Sequence, residues 1–428
     1  LKKVLIISYF FPPCNLTASQ RALSWAKYLH QFGYFPLIIT RKWETHLSKL
    51  QDMSFGTSDG VLHEKNDDYE VYYLPYKPNF RDKIFISFGE KKWSVLRRAL
   101  TFLELLFQPF FTAAIPYSNL FDFSKAIAKK ENMGLAVITG NPFNLFKLGY
   151  ELHKELGIKW IADYRDAWTT TEILEPNQSF FHKVLFPLEK WCEQKWVSSA
   201  SKITASSMPI AAGINALTGV NATALYNGYN PEDFDFEKKP KYETFTIAYI
   251  GTLYSGQKIE IFCEAYKEFI DSSLNPKAIL LFPGLAFYPD QAERIMNCLN
   301  GYSAYYEISP RIERSKILEI ETRAHLLLHV AWDEHKGIIA SKIYEYIGSG
   351  TPILVTPGDQ SSIDEIMEQT TCGVCTYSAH ETKAVLNEAY ELFEKRIVKT
   401  NDVHQERLYK FSRLGQVKEL AKLLDDIS

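Results

Sequence analysis

Short apolar runs, each followed by a loop and then an amphipathic stretch, recur along this chain, and that rhythm limits what it can fold into. Val4–Ser8 is the first run, and Phe10-Phe11-Pro12-Pro13 ends it. Thr17-x-x-Gln20 has capping-box spacing, and Ala22, Trp25, Ala26 and Leu29 then fall on one helical face. Gly33 is a helix stop and Phe35–Thr40 the next strand, which completes a βαβ unit. Similar units are expected around Leu135–Thr139, with a helix after Pro142, and around Lys159–Ala162 and Ser201–Ala205. Strands separated by helices pair in parallel, with the helices covering the faces of the sheet.

With 428 residues the chain exceeds what one core usually holds, so two domains are expected. The stretch 227–243 reads as the linker: Asn227-Gly228-Tyr229-Asn230-Pro231 is a turn cluster, followed by the charged Glu237-Lys238-Lys239-Pro240-Lys241. Phe245–Gly251 opens a second series, with strands at Ala278–Phe282, Tyr302–Ile308, His325–Val330, Pro352–Thr356 and Gly373–Thr376. A last amphipathic helix runs from about Asp402. The expected class is α/β, two doubly wound Rossmann-like domains facing a cleft, with ligand near the carboxyl ends of the strands. The bounds are 1–226 (with an insertion at about 81–116), the linker 227–243, a second domain 244–400, and a helix 401–428 packing back across both.

Composition narrows the function classes. A net charge of −3 argues against a general nucleic-acid binder. No secretory signal precedes the first strand, and no apolar run approaches the ~20 residues of a spanning helix. Six scattered cysteines fit a reducing cytoplasm. Cys372-Gly-Val-Cys375 has C-x-x-C spacing but no second cysteine or histidine pair, so no metal site is expected. The 25 Tyr and 28 Phe read first as the material of a large core, with a sugar- or lipid-facing cleft as the alternative.

The segment Arg81–Pro116 departs from the rhythm. Arg81, Lys83, Lys91, Lys92, Arg97 and Arg98 mix with Ile84, Phe85, Trp93, Leu96, Leu100, Phe102, Leu105, Leu106 and Phe107. A basic amphipathic helix of this kind lies on an anionic membrane surface, or else packs its apolar face on the first domain. Glu104 and Pro109 interrupt its stripe.

Three segments carry groups suited to chemistry. Ser341 reads as the N-cap of a short helix that Gly348 and Gly350 end, ahead of an apolar strand opened by Pro352. A helix N-terminus suits a phosphate, Lys342 adds a cation there, and Glu345, one turn on, is placed for a ribose diol. The same spacing also describes an ordinary surface Lys–Glu pair. Asp163-Tyr164-Arg165-Asp166 follows a strand, where its charges would orient a hydroxyl, take its proton or position a phosphate, or form a structural salt-bridge cluster. Gly251-Thr252-Leu253-Tyr254-Ser255-Gly256-Gln257-Lys258 links a strand to a helix and suits a phosphate, with Lys258 supplying charge. Neither G-x-G-x-x-G nor a P-loop pattern opens either domain. Arg311 and Arg314 follow a strand in the same domain; they read as solvated charges, with phosphate binding as the alternative.

In order and spacing these segments resemble the family-four retaining glycosyltransferases, which have the GT-B fold. The likeness runs from the opening strand with Phe-Pro-Pro and the helix carrying Arg21, through Gly140-Asn141-Pro142-Phe143 and Asp163–Trp168, to Gly251-Thr252-Leu253 and Lys342-x-x-Glu345-Tyr346 with its Gly-Thr-Pro. The resemblance implies a nucleotide-diphosphate-sugar bound by the second domain and an acceptor bound by the first. It implies Glu345 on the donor ribose and Lys258 on the phosphates, with Gly251, Thr252, Ser341 and Lys342 around them. Asp163, Arg165 and Asp166 would serve catalysis, and Asn15, Arg21 and Asn141 the acceptor side. No cofactor or metal is implied, because helix dipoles and cations carry the diphosphate charge. The acceptor would be a cell-surface polysaccharide or its lipid-linked precursor, handled in the cytoplasm with peripheral contact at the inner membrane face.

This sequence also departs from the family pattern. The E-x7-E motif would place a glutamate at Gly337, with Glu334 near but off the spacing. Thr252 stands where an arginine is usual, and Asn15-Leu16-Thr17 replaces a glycine pair. In such a divergent branch Lys342 would compensate for the lost charge. A GT-B sugar-nucleotide epimerase and a non-catalytic nucleotide- or glycan-binding module are the alternatives.

Overall fold

The computed structural model describes residues 1–43, 50–170, 180–235, 239–272, 276–332, 336–397 and 405–428. Glu237, Lys238, Glu334 and the expected helix start at Asp402 lie outside them. The chain forms two compact units, Leu1–Tyr226 with Val417–Ser428, and Asn227–Gln416.

The first unit runs β1 (Lys2–Ile7), α1 (Ser19–Tyr28), β2 (Tyr34–Arg41), β3 (Leu62–Lys65), β4 (Glu70–Leu74), α2 (Phe80–Phe88), α3 (Ser94–Phe107), α4 (Asn119–Lys130), β5 (Leu135–Thr139), α5 (Leu145–Leu156), β6 (Lys159–Tyr164), α6 (Phe180–Val197), β7 (Lys202–Ala205), α7 (Met208–Thr218) and β8 (Ala222–Ala224). Its eight-stranded sheet has the order β3-β4-β2-β1-β5-β6-β7-β8. All pairings are parallel except β3 on β4, an edge hairpin whose partly polar strands gave no alternation to read. Val4–Ile7 of the central strand β1 and all of β5 are buried and nearly all apolar, as a parallel sheet covered on both faces requires. Gly149 of α5 lies against the Trp160 ring, where a Cβ would come within 2.5 Å, so the helix packs directly on the sheet.

The second unit runs β9 (Phe245–Ala248), α8 (Glu260–Ser272), β10 (Ala278–Pro283), α9 (Pro289–Cys298), β11 (Tyr306–Ser309), α10 (Arg314–Arg323), β12 (Leu326–His329), α11 (Ser341–Ser349), β13 (Ile353–Val355), α12 (Ser362–Thr370), β14 (Gly373–Cys375), α13 (Ala379–Glu394), α14 (Gln405–Tyr409) and the first turn of α15 (Arg413–Ile427). Its six strands are all parallel, ordered β11-β10-β9-β12-β13-β14. That is the doubly wound order, reversing between β9 and β12, so ligands are expected beyond the carboxyl ends of those two strands. A cavity of about 910 Å³ opens at the other end of this sheet, beside Lys277, His325 and Phe393. It lies away from the residues singled out for chemistry.

Several local expectations are corrected. The Thr17/Gln20 capping box does not form; α1 begins at Ser19 after Ala18, with no side-chain cap. Tyr302–Ile308 is a strand only from Tyr306, because Ser303–Tyr305 make a 3₁₀ turn. The last helix is two, α14 and α15, and α15 passes from the second unit into the first at Val417. The basic insertion is a pair of helices; in the longer one, α3, none of the 14 residues is fully buried, Leu100, Phe102 and Leu106 are half-buried, and Leu96, Leu103 and Phe107 are exposed. Glu104 does not break its stripe, since it turns toward Arg81 and Asn79 of the α2 end.

Candidate functional site

In the second unit the β9 loop and the start of α11 are neighbours. Gly251 has φ +122, a conformation natural to glycine, and a Cβ there would sit 3.5 Å from Lys342 Cγ. The Ile250 backbone N–H donates to the Tyr346 hydroxyl at 2.8 Å, tying the loop to α11. Gly256 faces the Trp332 ring after β12, and Gln257 donates to the Val330 carbonyl, so the loop is pinned at the reversal point of the sheet. Lys258 is exposed on the turn that leads into α8.

Ser341 is not the N-cap: Ala340 has the extended cap conformation, Ser341 is the first helical residue, and no side chain caps the helix. Gly350, with φ +71, ends α11, whereas Gly348 lies inside it against Tyr229 and Phe234. A first helical turn without a side-chain cap is a suitable seat for an anion.

Lys342 and Glu345 do pair, Nζ to Oε2 at 2.6 Å, and the pair belongs to a larger network. Arg314 of α10 sits 3.4 Å from Glu345 Oε1 and 2.5 Å from Asp233 Oδ2, so it is not a solvated charge. Beneath them lies Glu321, wholly buried, 3.8 Å from Lys342 Nζ, with neither carboxyl oxygen hydrogen-bonded. Burial pushes its carboxyl up to about 8, reinforced by Glu345 and Asp233 and opposed by Lys342 and Arg314. Glu345 is held rather than free, but a carboxylate has about four acceptor positions, so capacity for a diol remains. Thr252 donates to the Tyr288 hydroxyl at 3.1 Å and Arg311 donates to the same oxygen at 3.0 Å. The two bonds lower the Tyr288 phenol pKa.

The first unit gathers Arg21, Asp163, Arg165 and Asn141, with a different outcome. Asp163 is wholly buried at the end of β6. Arg21 grips it through Nε (2.9 Å to Oδ2) and Nη2 (2.6 Å to Oδ1), and Thr204 donates to Oδ1 at 2.7 Å. Asp163 therefore cannot meet an acceptor hydroxyl, and Arg21 is committed to it; the pair is structural. Arg165 donates to the Gly140 and Asn141 carbonyls at 3.1 and 2.7 Å and organises that loop. Asn15, Asn141 and Asp166 are exposed.

Sequence reasoning missed Glu321, Asp233 and Tyr288, and gave Tyr346 no role of its own. Glu321 left a trace: it falls three residues after Leu318 on the buried face of α10, an acid where the period asks for an apolar residue. Gly337 has φ +82, so a glutamate at that position would be strained.

Two parallel doubly wound units of this kind make the GT-B fold. The chain aligns over its whole length with a sucrose-phosphate synthase from Thermosynechococcus elongatus (13% identity, 99% of that chain, TM-score 0.60). It aligns equally with the E. coli trehalose-6-phosphate synthase bound to UDP-2-fluoro glucose (11%, 100% of each chain, 0.62) and with Anabaena HepE in complex with UDP (12%, 100% of each chain, 0.60). At these identities the likeness concerns the fold. No family model and no curated protein matches the sequence.

Proposed function

We propose that this chain is a retaining glycosyltransferase of a divergent family-four branch, moving a sugar from a nucleotide-diphosphate-sugar to a hydroxyl of a glycan or lipid-linked glycan. The observation that carries the reading is the approach of the Gly251 loop to Lys342 at the uncapped start of α11, with Glu345 one turn on. The α11 amides, Lys342 and Lys258 would take the diphosphate, and Glu345 the ribose. Arg311, reaching Thr252 through Tyr288, would supply the cation that position 252 lacks. The departing diphosphate would itself receive the acceptor proton, since Asp163 is sealed. Exposed Asn15, Asn141 and Asp166 would face the acceptor, with Arg165 positioning their loop. Neither metal nor cofactor enters the scheme. Cell-surface polysaccharide synthesis in the cytoplasm, at the inner membrane face, is the proposed setting; among the described residues no helix is long and apolar enough to cross a membrane.

A thermal-shift panel of UDP, GDP, ADP and their sugars tests this, with Lys342→Ala and Glu345→Ala alongside. A nucleotide at 100-fold over its dissociation constant should stabilise by about 2.7 kcal/mol. UDP is the first candidate, because two of the structural neighbours hold it or a UDP-sugar. Loss of the shift in both variants supports the donor site, and an unchanged affinity in Lys342→Ala refutes the compensating role of that lysine. Donor isomerisation without acceptor would mark an epimerase. Binding with neither transfer nor slow hydrolysis would mark a binding module, a reading that the engagement of Glu345 by Lys342 and Arg314 favours.

A further inference from the structure

Helix α3 leaves an apolar stripe outside. On its inner side Glu104 meets Arg81 at 2.7 Å, Asn79 donates to Glu104 at 2.6 Å, and Arg97 lies 4.5 Å over the Phe85 ring of α2, while Leu100, Phe102 and Leu106 are half-buried. The opposite side carries Leu96, Leu103 and Phe107, seven and four residues apart, exposed by 40%, 46% and 46%. Trp93 precedes the stripe at 54%, and Phe110 and Phe111 follow it at 59% and 61%. Phe110 stacks on Trp191 of α6, so the apolar surface continues onto a second helix. Such a contiguous apolar face in water marks an interaction site.

The charge around it selects the partner. The segment 81–116 holds six basic and three acidic residues, net +3 on a chain of −3. Lys91, Lys92 and Arg98 are exposed beside the apolar residues. Two copies of a +3 face would repel, whereas anionic headgroups would be drawn to it. A 14-residue helix is too short to span a bilayer but suited to lie in its interface, where tryptophan is favoured.

We infer that the outer face of α3, with Trp93, Phe110 and Phe111, seats the first unit on an anionic phospholipid surface, and that Lys91, Lys92 and Arg98 meet its headgroups. This goes beyond the transferase reading and does not depend on it.

Co-sedimentation of the full chain with vesicles tests it, comparing phosphatidylcholine alone with an equimolar phosphatidylcholine–phosphatidylglycerol mixture. Binding to the mixture, at least about tenfold weaker on the neutral vesicles and at high salt, is expected. Phe110→Ser/Phe111→Ser and Lys91→Glu/Lys92→Glu should each weaken it by about tenfold or more. All four side chains are exposed, so circular dichroism and Tm should stay unchanged in both variants. No vesicle binding, equal binding to both compositions, or binding untouched by the variants overturns the inference. So does a concentration-dependent dimer that Phe110→Ser/Phe111→Ser abolishes, since a second copy would then be the occupant.

Discussion

Replacing Glu321 by glutamine should change how stability depends on pH. In the folded chain the carboxyl keeps its proton up to about pH 8, because burial disfavours its charge and Glu345 and Asp233 add to that, more than Lys342 and Arg314 offset. Tyr346, whose phenol pKa is raised chiefly by burial, also feels the Glu321 charge. The unfolded chain gives up this proton near 4.5, the ordinary carboxyl value. Between those values unfolding releases a proton, so stability falls as pH rises. The contribution is fully present below about 4.5 and lost above about 8. At ~1.4 kcal/mol per unit, the loss is about 3 kcal/mol by pH 7 and about 5 kcal/mol at most. Glu321→Gln carries no titrating group, and any cost of its buried amide is a constant offset, so the slope is the readout. Denaturant unfolding of both proteins from pH 5 to 8 should show the stability of the native chain, relative to the variant, declining steadily. A difference that stays flat across that range would refute the reasoning and show that Glu321 ionises normally beside Lys342.

Two further substitutions test the packing of the units. Arg21→Met strands the buried Asp163 carboxylate and should cost about 3–5 kcal/mol, with Arg21→Met/Asp163→Leu recovering a large part of it by calorimetry; a loss below about 1 kcal/mol would mean that Asp163 finds another partner or a proton. Gly348→Ala should lower Tm even though alanine favours a helix by about 1 kcal/mol, because its Cβ would meet Phe234 and Tyr229 at 2.6 and 2.7 Å and overpacking costs about 1–3 kcal/mol. A rise in Tm would show that the two rings yield without cost.

What was legible in the sequence was local. Apolar strand runs and the helices between them depend on neighbours within a few residues, which is why Leu135–Thr139 was placed to the residue and Phe35–Thr40 to within one. The Lys342–Glu345 contact was legible for the same reason, as two side chains one turn apart on one helix. What surrounds that contact was not, because Arg314 meets Asp233 across 81 residues and Arg21 meets Asp163 across 142. Asp163 shows the consequence: an acid at a strand's carboxyl end fits catalysis or structure equally well until its partner is known, and Arg21, itself read as an acceptor residue, is that partner. Helix α3 fails differently. Periodicity establishes that a helix has two faces but not which one turns inward, and here Glu104 and Arg97 found partners in Arg81, Asn79 and Phe85 while the stripe of Leu96, Leu103 and Phe107 stays exposed. An acid on a buried helical face, as at Glu321, and an apolar stripe left outside, as on α3, are the two places where local pattern and tertiary placement disagree most. Such disagreements are expected where function rather than stability sets the residue.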